Sequence, residues 1–274
     1  MGMEIKGKIA VITGAASGIG HAVCLDLASK GVKKIAMVDM NEEVKIAADQ
    51  INRDAKKEIA FPFIGNTIDS DFRAGVFESI SQDEEPARIC VPCAGITRDA
   101  LAVKINKETG KAEIYSIDKF REVVEVNLIA PVYWAMELIS GVAEDRARKG
   151  LKKWHPDEHV QGTVIFIGSI SSQGNKGQVS YASTKAGLEG AAATLTMEAM
   201  FHGVRCGVIH PGFTDTPMVR ALGDEFIEKH ILKDTQLGRL IQPTEIADAI
   251  CFMIANSAVS GELWADAGWH PTPA

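Results

Sequence analysis

The sequence has few cysteines and no hydrophobic run long enough to suggest a membrane span. Five cysteines occur among 274 residues, an odd number set mostly in apolar surroundings, which is typical of reduced and buried thiols. No apolar run approaches the roughly 20 residues of a membrane-spanning helix, and the first apolar run is too short for a signal peptide. We therefore expect a cytoplasmic protein that does not bind a membrane.

Positive charge is also in deficit. The formal net charge is -7 at pH 7, which argues against nucleic acid as the main partner. Apolar residues, by contrast, are plentiful: 46% of the chain is hydrophobic and 24% is charged, the composition of a globular protein with a sizeable core. Because no proline-, glycine- or serine-rich linker divides the chain, we predict one domain over residues 1–274.

Two short motifs suggest redox or metal chemistry, but structural roles fit them better. "CVPC" (90–93) has the spacing of a redox pair, yet it lies in an apolar strand and contains a proline. "WHPDEH" (154–159) offers two histidines and two carboxylates, yet it lies in a charged connection with no further ligand nearby in sequence. We expect neither a redox pair nor a metal site.

Short apolar runs alternate with segments of helical periodicity along the chain. Several runs are apolar throughout, which indicates parallel strands covered on both faces, and the helical segments end near glycines. The pattern predicts an α/β fold, a single Rossmann-type doubly wound parallel sheet of about seven strands with helices on both faces. The predicted strands are 8–13, 34–39, 59–65, 88–92, 163–169, 205–210 and 262–267.

"TGAASGIG" (13–20) follows the first predicted strand and opens the first helix. Gly14 permits a tight turn, Gly18 lets the backbone approach a pyrophosphate, and Gly20 lets the helix pack closely on the strand. The helix N-terminus offers N–H groups to phosphate. Asp39 ends the second strand about 20 residues later, where an acid can bind ribose hydroxyls. A glycine pattern alone is weak evidence, but this combination predicts a dinucleotide site.

"YASTK" (181–185) places a tyrosine and a lysine four residues apart. A helix brings residues with this spacing onto one face, so Tyr181 and Lys185 are expected to point the same way. Such a pair alone would be structural in most proteins. Together with the glycine loop and Asp39, it predicts a catalytic site.

These motifs, in this order, resemble the short-chain dehydrogenase/reductase family. The glycine loop has that family's TGxxxGxG spacing. The later blocks are most similar to bacterial 3-oxoacyl-carrier-protein reductases and hydroxysteroid-type relatives. Those blocks are "AGITRDAL" (94–101), "VNLIAPV" (126–132), "SYASTKAG" (180–187), "HPGFTDTPM" (210–218) and "QLGRLIQPTEIADAICFMIA" (236–255).

The resemblance implies a role for each member of the site. Tyr181 would be the general acid/base, Lys185 its electrostatic partner and a clamp on ribose, Ser169 the hydroxyl that orients the carbonyl, and Asn127 the holder of a water for proton relay. The residues implied in cofactor binding are Gly14, Ser17, Gly18, Ile19, Gly20, Asp39, Asn66, Thr67, Ala94, Gly95, Tyr181, Lys185, Pro211, Gly212, Thr214 and Thr216.

Ketone reduction explains why a lysine would stand beside the tyrosine. The reaction needs a hydride, which a nicotinamide supplies, and a proton, which Tyr181 would supply. Free tyrosine has a pKa of about 10, so we expect the Lys185 ammonium to stabilise the phenolate and lower the Tyr181 pKa. Ser169 would hydrogen-bond the oxygen on which negative charge develops.

The chain departs from the family pattern in three places. "PCAG" (92–95) replaces the usual NNAG, which removes two asparagine side chains but keeps the backbone of Ala94 and Gly95 close to the cofactor. Asn66 stands where an acid usually faces adenine, and its amide oxygen can still accept a hydrogen bond.

The third departure is a loop between the serine and the tyrosine that is one residue shorter than usual. Ser171 and Ser172 therefore compete with Ser169 for the catalytic position. We prefer Ser169 because it ends the predicted strand.

The favoured function is an oxidoreductase that uses NAD(H) in preference to NADP(H), because the Asp39 carboxylate would repel a 2′-phosphate. By resemblance its substrate is a 3-oxoacyl or 3-hydroxyacyl thioester. The alternatives are a dehydrogenase of hydroxysteroids, polyols or other small alcohols, and a catalytically idle dinucleotide-binding sensor.

The remaining expectations concern the surroundings of the site. A loop around 212–236 would cover the substrate, and the protein would be a homotetramer held by the helices that contain Asn127 and Tyr181. Two segments look long for the family: 105–118, expected to form a hairpin around Thr109 and Gly110, and 144–162. Both are expected to border the site or an interface.

Overall fold

A computed structural model describes residues 3–81 and 85–269, and strands form at all seven predicted positions. The strands are β1 (Ile9–Thr13), β2 (Lys34–Asp39), β3 (Ala60–Ile64), β4 (Ile89–Pro92), β5 (Val103–Ile105), β6 (Ala112–Ile114), β7 (Gly162–Ile167), β8 (Val204–Pro211) and β9 (Gly261–Ala265). The helices are α1 (Gly18–Ser29), α2 (Glu43–Ala55), α3 (Ser70–Ile80), α4 (Ile117–Val124), α5 (Ala130–Arg148), α6 (Val179–Ala199), α7 (Pro217–Arg220), α8 (Asp224–His230) and α9 (Pro243–Ala255).

The main sheet is parallel and doubly wound. Its strand order is β3-β2-β1-β4-β7-β8-β9, and every neighbouring pair in it runs parallel. The order reverses between β1 and β4, which is the point where ligands bind outside the carboxyl ends of the strands. The predicted Rossmann-type fold is confirmed.

Alternate residues of each central strand enter opposite core clusters. In β1, Ala10 and Ile12 belong to a cluster that includes residues of α1, α2 and α9, whereas Ile9 and Val11 belong to a cluster with residues of α3, α5 and α6. Successive side chains of a strand point to opposite faces. Because helices cover both faces, both sets of side chains must be apolar, which explains the continuous apolar runs.

The segment 105–118 forms the expected hairpin. β5 and β6 pair antiparallel, and Gly110 has a φ of +67° in the turn between them. Just beyond the hairpin, the Tyr115 hydroxyl donates to the Arg98 carbonyl (2.7 Å) and lies 3.0 Å from Ser180 Oγ. Ser180 immediately precedes Tyr181, so the hairpin is anchored beside the predicted catalytic helix.

One helical stretch corrects the expectation drawn from hydropathy. Within the described residues, 117–148 is long and apolar enough by length and composition to cross a membrane. The sequence obscures it because Glu125 and Glu137 interrupt its apolar residues. Core helices of soluble proteins pass the same test, and Trp134 and Leu138 of α5 are fully buried against the sheet. The stretch is therefore weak evidence for a membrane span.

Candidate active site

The glycine loop is shaped by two left-handed residues and by one close helix–strand contact. Gly14 has a φ of +64° and Gly18 a φ of +56°. A Cβ on Gly14 would lie 2.9 Å from the backbone nitrogen of Ala94, and one on Gly20 would overlap the carbonyl oxygen of Gly14. Within the described chain the Ser17 side chain makes no capping hydrogen bond to α1. The first turn therefore keeps its N–H groups for an anion.

The Asp39 carboxylate lies against this loop at the end of β2. One of its oxygens accepts a hydrogen bond from the Ala16 N–H, and the other accepts one from the Asn41 N–H, each at 3.0 Å. A carboxylate offers about four lone-pair positions. Both oxygens therefore retain capacity for ribose hydroxyls while they hold the loop in place.

The chain after β4 passes close to the loop and is fixed by two side chains. Thr13 Oγ1 accepts a hydrogen bond from the Ala94 N–H at 3.1 Å. The buried Asn127 amide accepts from the Ile96 N–H and donates to the Ile96 carbonyl, each at 2.8 Å. A Cβ on Gly95 would lie 3.4 Å from Asn127 Oδ1. The Asn127 side chain thus fixes the backbone at Ile96, and its amide keeps one further N–H and one lone pair for a relay water.

The two cysteines of "CVPC" face opposite sides of the sheet. Cys90 belongs to the core cluster of α3, α5 and α6, whereas Cys93 packs against the cluster of α1, α2 and α9. Burial raises the pKa of both thiols, that of Cys93 to about 12. Thiolates are the reactive form, so these cysteines are poor redox groups. All five cysteines of the chain are free thiols.

Ser169, Tyr181 and Lys185 come together from two elements. Ser169 follows β7, whereas Tyr181 and Lys185 lie four residues apart on α6. Tyr181 and Ser169 line the same cleft, where the Ser169 hydroxyl acts to lower the pKa of the Tyr181 phenol. Lys185 Nζ lies 5.4 Å from the centroid of the Tyr181 ring and donates to the Ile167 carbonyl at 2.8 Å. The expected shared helix face is present.

The expected lowering of the Tyr181 pKa by Lys185 is not found. Burial raises the pKa of Tyr181 to about 12, with the Ser169 hydrogen bond opposing that rise and the Asp99 charge adding to it. Burial also lowers the pKa of Lys185 to about 8. Lys185 is not among the causes of the Tyr181 pKa shift; its ammonium donates a hydrogen bond to the Ile167 carbonyl. At neutral pH the phenol is protonated, which is the state that donates a proton.

The three competing serines have different partners. Ser169 Oγ accepts a hydrogen bond from the Ser171 N–H at 3.0 Å, and Ser171 Oγ donates to Gln178 Oε1 at 2.9 Å. The Ser172 hydroxyl is buried without a partner among the described residues. Because Ser169 is the serine that acts on the Tyr181 pKa, it is favoured for the catalytic position.

One cleft collects residues from four separate parts of the chain. Thr216 lies at its edge, where a Cβ on Gly18 would approach the Thr216 methyl carbon to 3.2 Å. Thr216 Oγ1 also accepts a hydrogen bond from the Val219 N–H and thereby caps the N-terminus of α7. The cleft is lined by the predicted residues Ile19, Ser169, Tyr181, Pro211, Gly212, Thr214 and Thr216, together with Thr97, Asp99, Phe213, Met218, Val219 and Leu222.

Asn66 and Thr67, two of the predicted cofactor residues that do not line this cleft, follow β3. The Asn66 amide oxygen accepts a hydrogen bond from the Ile68 N–H at 3.2 Å. Thr67 is buried, and its carbonyl accepts a hydrogen bond from the Trp134 indole at 2.9 Å. The Asn66 oxygen that was expected to face adenine is thus already engaged in its own turn. Since β3 pairs with β2, both residues still lie on the Asp39 side of the sheet.

Two groups of the site were missed from the sequence. Asp99 borders the cleft, accepts a hydrogen bond from Gln178 Nε2 at 2.8 Å, and raises the Tyr181 pKa. Its position inside "AGITRDAL" was the available signal. The Ile167 carbonyl that binds Lys185 gives no sequence signal, because it is a main-chain group.

The residues around the loop fit a nicotinamide dinucleotide. The close contacts at Gly14, Gly18 and Gly20 leave no space for a Cβ, so the backbone itself forms the cradle. The open N-terminus of α1 suits a pyrophosphate, and Asp39 suits a ribose. Tyr181 and Ser169 line the same cleft as Ile19 and Thr216.

Comparison with known proteins agrees with this assignment. Residues 8–226 match the short chain dehydrogenase family. The chain is 32% identical to 3-oxoacyl-[acyl-carrier-protein] reductase FabG of Escherichia coli, over 95% of this chain and 96% of that protein. It is 31% identical to an acetoacetyl-CoA reductase of Synechocystis, over 99% of this chain and the whole of that protein.

Solved structures show the same fold. A 3-oxoacyl-[acyl-carrier protein] reductase from Brucella melitensis superposes with a TM-score of 0.80 at 23% identity, over 98% of this chain and 93% of that chain. A structure titled ribose-5-phosphate isomerase, from the same species, superposes with a TM-score of 0.78 at 24% identity, over 98% and 94%. At these identities the likeness establishes the fold alone.

The chain belongs to the short-chain dehydrogenase/reductase family. It is an oxidoreductase that acts on CH–OH and ketone groups, and its family binds a nicotinamide dinucleotide.

Proposed function

We propose that this protein interconverts a 3-oxoacyl thioester and the 3-hydroxyacyl thioester with NAD(H). The observation that carries the proposal is the single cleft that contains Tyr181 and Ser169 together with Ile19 and Thr216 of the predicted cofactor site. The relatives named for reduction of 3-oxoacyl-carrier-protein and acetoacetyl-CoA support the substrate class. The bound dinucleotide supplies or accepts the hydride.

The chain's own residues handle the proton and the substrate oxygen. Tyr181, with a pKa of about 12, is protonated at neutral pH and donates its hydroxyl proton to the carbonyl oxygen during reduction. Ser169 holds that oxygen through its hydroxyl. The Lys185 ammonium donates to the Ile167 carbonyl and lies over the Tyr181 ring. In this position it would also bind a ribose hydroxyl. In the oxidative direction Tyr181 must lose its proton first, so alcohol oxidation should increase with pH.

Asp39 supports a preference for NAD(H). A 2′-phosphate next to its carboxylate would meet a like charge. Two unit charges about 4 Å apart at an effective dielectric of about 20 repel by roughly 4 kcal/mol. Screening at this half-buried position reduces the effect, and we expect about a 10- to 100-fold preference, or about 1.4 to 2.8 kcal/mol. Lys34 begins β2 whereas Asp39 ends it, so that lysine lies too far away to offset the charge.

The segment 212–236 supports the assignment of an acyl substrate. It folds into α7 and α8, which pack through a small apolar cluster that includes Ile227 and Ile231. Met218 and Leu222 line the cleft while remaining 43% and 45% exposed. Exposed apolar side chains at the mouth of a polar site suit a substrate with a reactive polar head and an apolar chain. We propose this segment as the substrate loop of a single NAD(P)-binding domain spanning 1–274.

We also propose that the protein is a homotetramer that works in the cytoplasm. Several apolar side chains remain exposed on α5 and α6, among them Tyr133, Met136 and Met197, and a second copy of the chain would cover them. Free thiols in all five positions support a reducing compartment. Light scattering that shows a stable monomer at micromolar concentration would contradict the oligomer.

A substrate panel tests the proposed function. Initial rates are measured from the absorbance of NADH with acetoacetyl-CoA, a longer 3-oxoacyl thioester, a 3-ketosteroid and a ketose. We expect kcat/KM for the thioesters to exceed that for the other ketones by at least about 10-fold. A steroid or ketose with the higher kcat/KM would favour the alternative dehydrogenase. Ser169→Ala serves as the control that the rate arises in this site.

A further inference from the structure

Three side chains from distant parts of the chain converge on one point beside the active site. Glu189 of α6, His210 of β8 and Glu262 of β9 each offer one ligand atom, and these atoms lie within 4.8 Å of one another. His210 Nε2 is 3.2 Å from a Glu262 carboxylate oxygen and 3.8 Å from Glu189 Oε1. Nothing in the sequence indicates this group, because its members are separated by more than 20 residues each.

Two of these atoms are buried and unsatisfied. His210 has no exposed surface, and neither its Nε2 nor Glu189 Oε1 has a hydrogen-bond partner in the described part of the chain. A buried polar atom left without a partner destabilises the fold. A cation held between the imidazole nitrogen and the two carboxylates would satisfy all three groups.

The two separations measured from His210 Nε2 are close to those between ligands around one metal ion. Zn–N and Zn–O bonds of about 2.0–2.2 Å in a tetrahedral arrangement place the ligand atoms about 3.4 Å apart. The observed 3.2 and 3.8 Å bracket that value.

The surroundings of His210 also resemble those of a metal-binding histidine. Its ring stacks on Trp264 with centroids 4.1 Å apart and an interplanar angle of 14°. A Cβ on Gly168 would lie 2.5 Å from Nδ1, so glycine is needed for the ring to lie there. The Ser169 carbonyl is 3.2 Å from Nδ1. Metal-binding histidines almost always donate their second N–H to such a group, which fixes the tautomer and the ring orientation.

We propose that Glu189, His210 and Glu262 form a divalent metal site that binds Zn²⁺. One neutral imidazole and two carboxylates suit a borderline transition metal better than Mg²⁺ or Ca²⁺, which take oxygen ligands. Glu262 is 40% exposed on its side chain, which provides an entry path, and water completes the coordination. The site stabilises the folded protein through mass action.

The His210 ring connects the proposed site to the catalytic serine, because its second nitrogen, Nδ1, lies next to the Ser169 main chain. Without a metal, Nδ1 can accept a hydrogen bond from the Ser169 N–H at 3.3 Å while an Nε2 proton faces Glu262. With Zn²⁺ on Nε2, the ring proton resides on Nδ1 and is donated to the Ser169 carbonyl. Metal binding thus selects one of two hydrogen-bonding arrangements beneath Ser169.

Calorimetric titration of chelator-treated, full-length protein with Zn²⁺ tests the proposal. We expect one equivalent to bind the wild type and to raise its melting temperature. Glu262→Gln and Glu189→Gln, which keep the shape of the side chains, should each weaken that binding by at least about 10-fold. The matched control is the double variant His155→Gln/His159→Gln in the exposed "WHPDEH" segment, which should bind Zn²⁺ as the wild type does.

Three results would overturn the assignment. They are no Zn²⁺ binding by the wild type, unchanged affinity in both glutamate variants, and loss of the equivalent in the His155/His159 variant. Circular dichroism of each variant without metal shows that the chain is folded. Both glutamates are partly exposed, so we expect these variants to fold.

Discussion

The glycine loop (13–20) and the substrate segment (212–236) border the same cleft, but different forces hold them. The loop is fixed by main-chain geometry: the Ala15 N–H bonds to the Val38 carbonyl, the Ala16 N–H bonds to Asp39, and glycines fill positions with no room for a Cβ. Main-chain bonds fix both ends of the substrate segment, such as the Asp215 N–H to the Ile241 carbonyl and the Gln236 N–H to the Ala267 carbonyl. Between these ends, side chains hold α7 and α8: Arg220 pairs with Asp215 and Asp224 on the surface.

This difference explains what each region can be used for. A surface built from backbone changes little when side chains change, so it suits a ligand that a whole family shares. A surface built from exposed side chains, such as Met218 and Leu222, can be altered without disturbing the sheet. We therefore expect variants of the loop to affect cofactor binding and folding together, and variants of Met218 and Leu222 to affect the substrate alone.

The largest effect is expected at the proton donor, Tyr181, which lines the cleft that both regions border. Tyr181→Phe should lower kcat by about 10²- to 10⁴-fold, since it removes only the proton-transferring hydroxyl. NADH affinity, measured by fluorescence titration, should stay within a few-fold of the wild type. Tyr133→Phe, at an exposed tyrosine of α5, is the matched control. Wild-type kcat in Tyr181→Phe on a confirmed substrate would refute the assigned role.

A single methyl group at Gly20 should disturb both folding and cofactor binding. A Cβ there overlaps the Gly14 carbonyl oxygen, so Gly20→Ala must displace the loop, at a cost of about 1–3 kcal/mol. Thermal unfolding should show a lower melting temperature than that of the wild type. NADH affinity should fall by more than it does in Leu222→Ala. Gly75→Ala is the control, because a Cβ there meets no described atom within 4 Å. Alanine in that helix should stabilise by about 0.5–1 kcal/mol. Equal melting temperatures for the two variants would contradict the close contact.

The smallest effect is expected in the substrate segment. Leu222→Ala removes apolar surface at the cleft and should raise KM for a long-chain 3-oxoacyl thioester by a few-fold, in line with about 0.8 kcal/mol per buried methylene. Its KM for NADH should not change. Leu237→Ala, at an exposed leucine near the end of this region, is the control. An increase in the NADH KM of Leu222→Ala would show that the two regions are not independent.

The sequence predicted the parts that depend on short-range patterns. Strand positions follow from continuous apolar runs, and the shared face of Tyr181 and Lys185 follows from helical spacing. The pKa of Tyr181 could not be predicted, because it depends on burial and on the charge of Asp99, which lies far away in the sequence. The group of Glu189, His210 and Glu262 could not be predicted either, since only the sheet register places His210 opposite Trp264 and brings β9 alongside.

Asn66 illustrates the same limit. The turn after β3 gives its amide oxygen a hydrogen bond from the Ile68 N–H, which a sequence pattern does not contain. The oxygen keeps a second lone pair, so its use for adenine stays a prediction.

The central claim is that the backbone loop and Asp39 together select NAD(H), whatever the substrate. The most direct test is the ratio of kcat/KM with NADH to that with NADPH, for the wild type, Asp39→Ala and Asp39→Asn. The ratio cancels any uniform loss caused by freeing the Ala16 N–H, and Asp49→Ala, an exposed acid on α2, controls for net charge. The account predicts a wild-type ratio of about 10 to 100 that falls towards 1 in both Asp39 variants and persists in Asp49→Ala. Equal use of both cofactors by the wild type, or an unchanged ratio in Asp39→Asn, would contradict it.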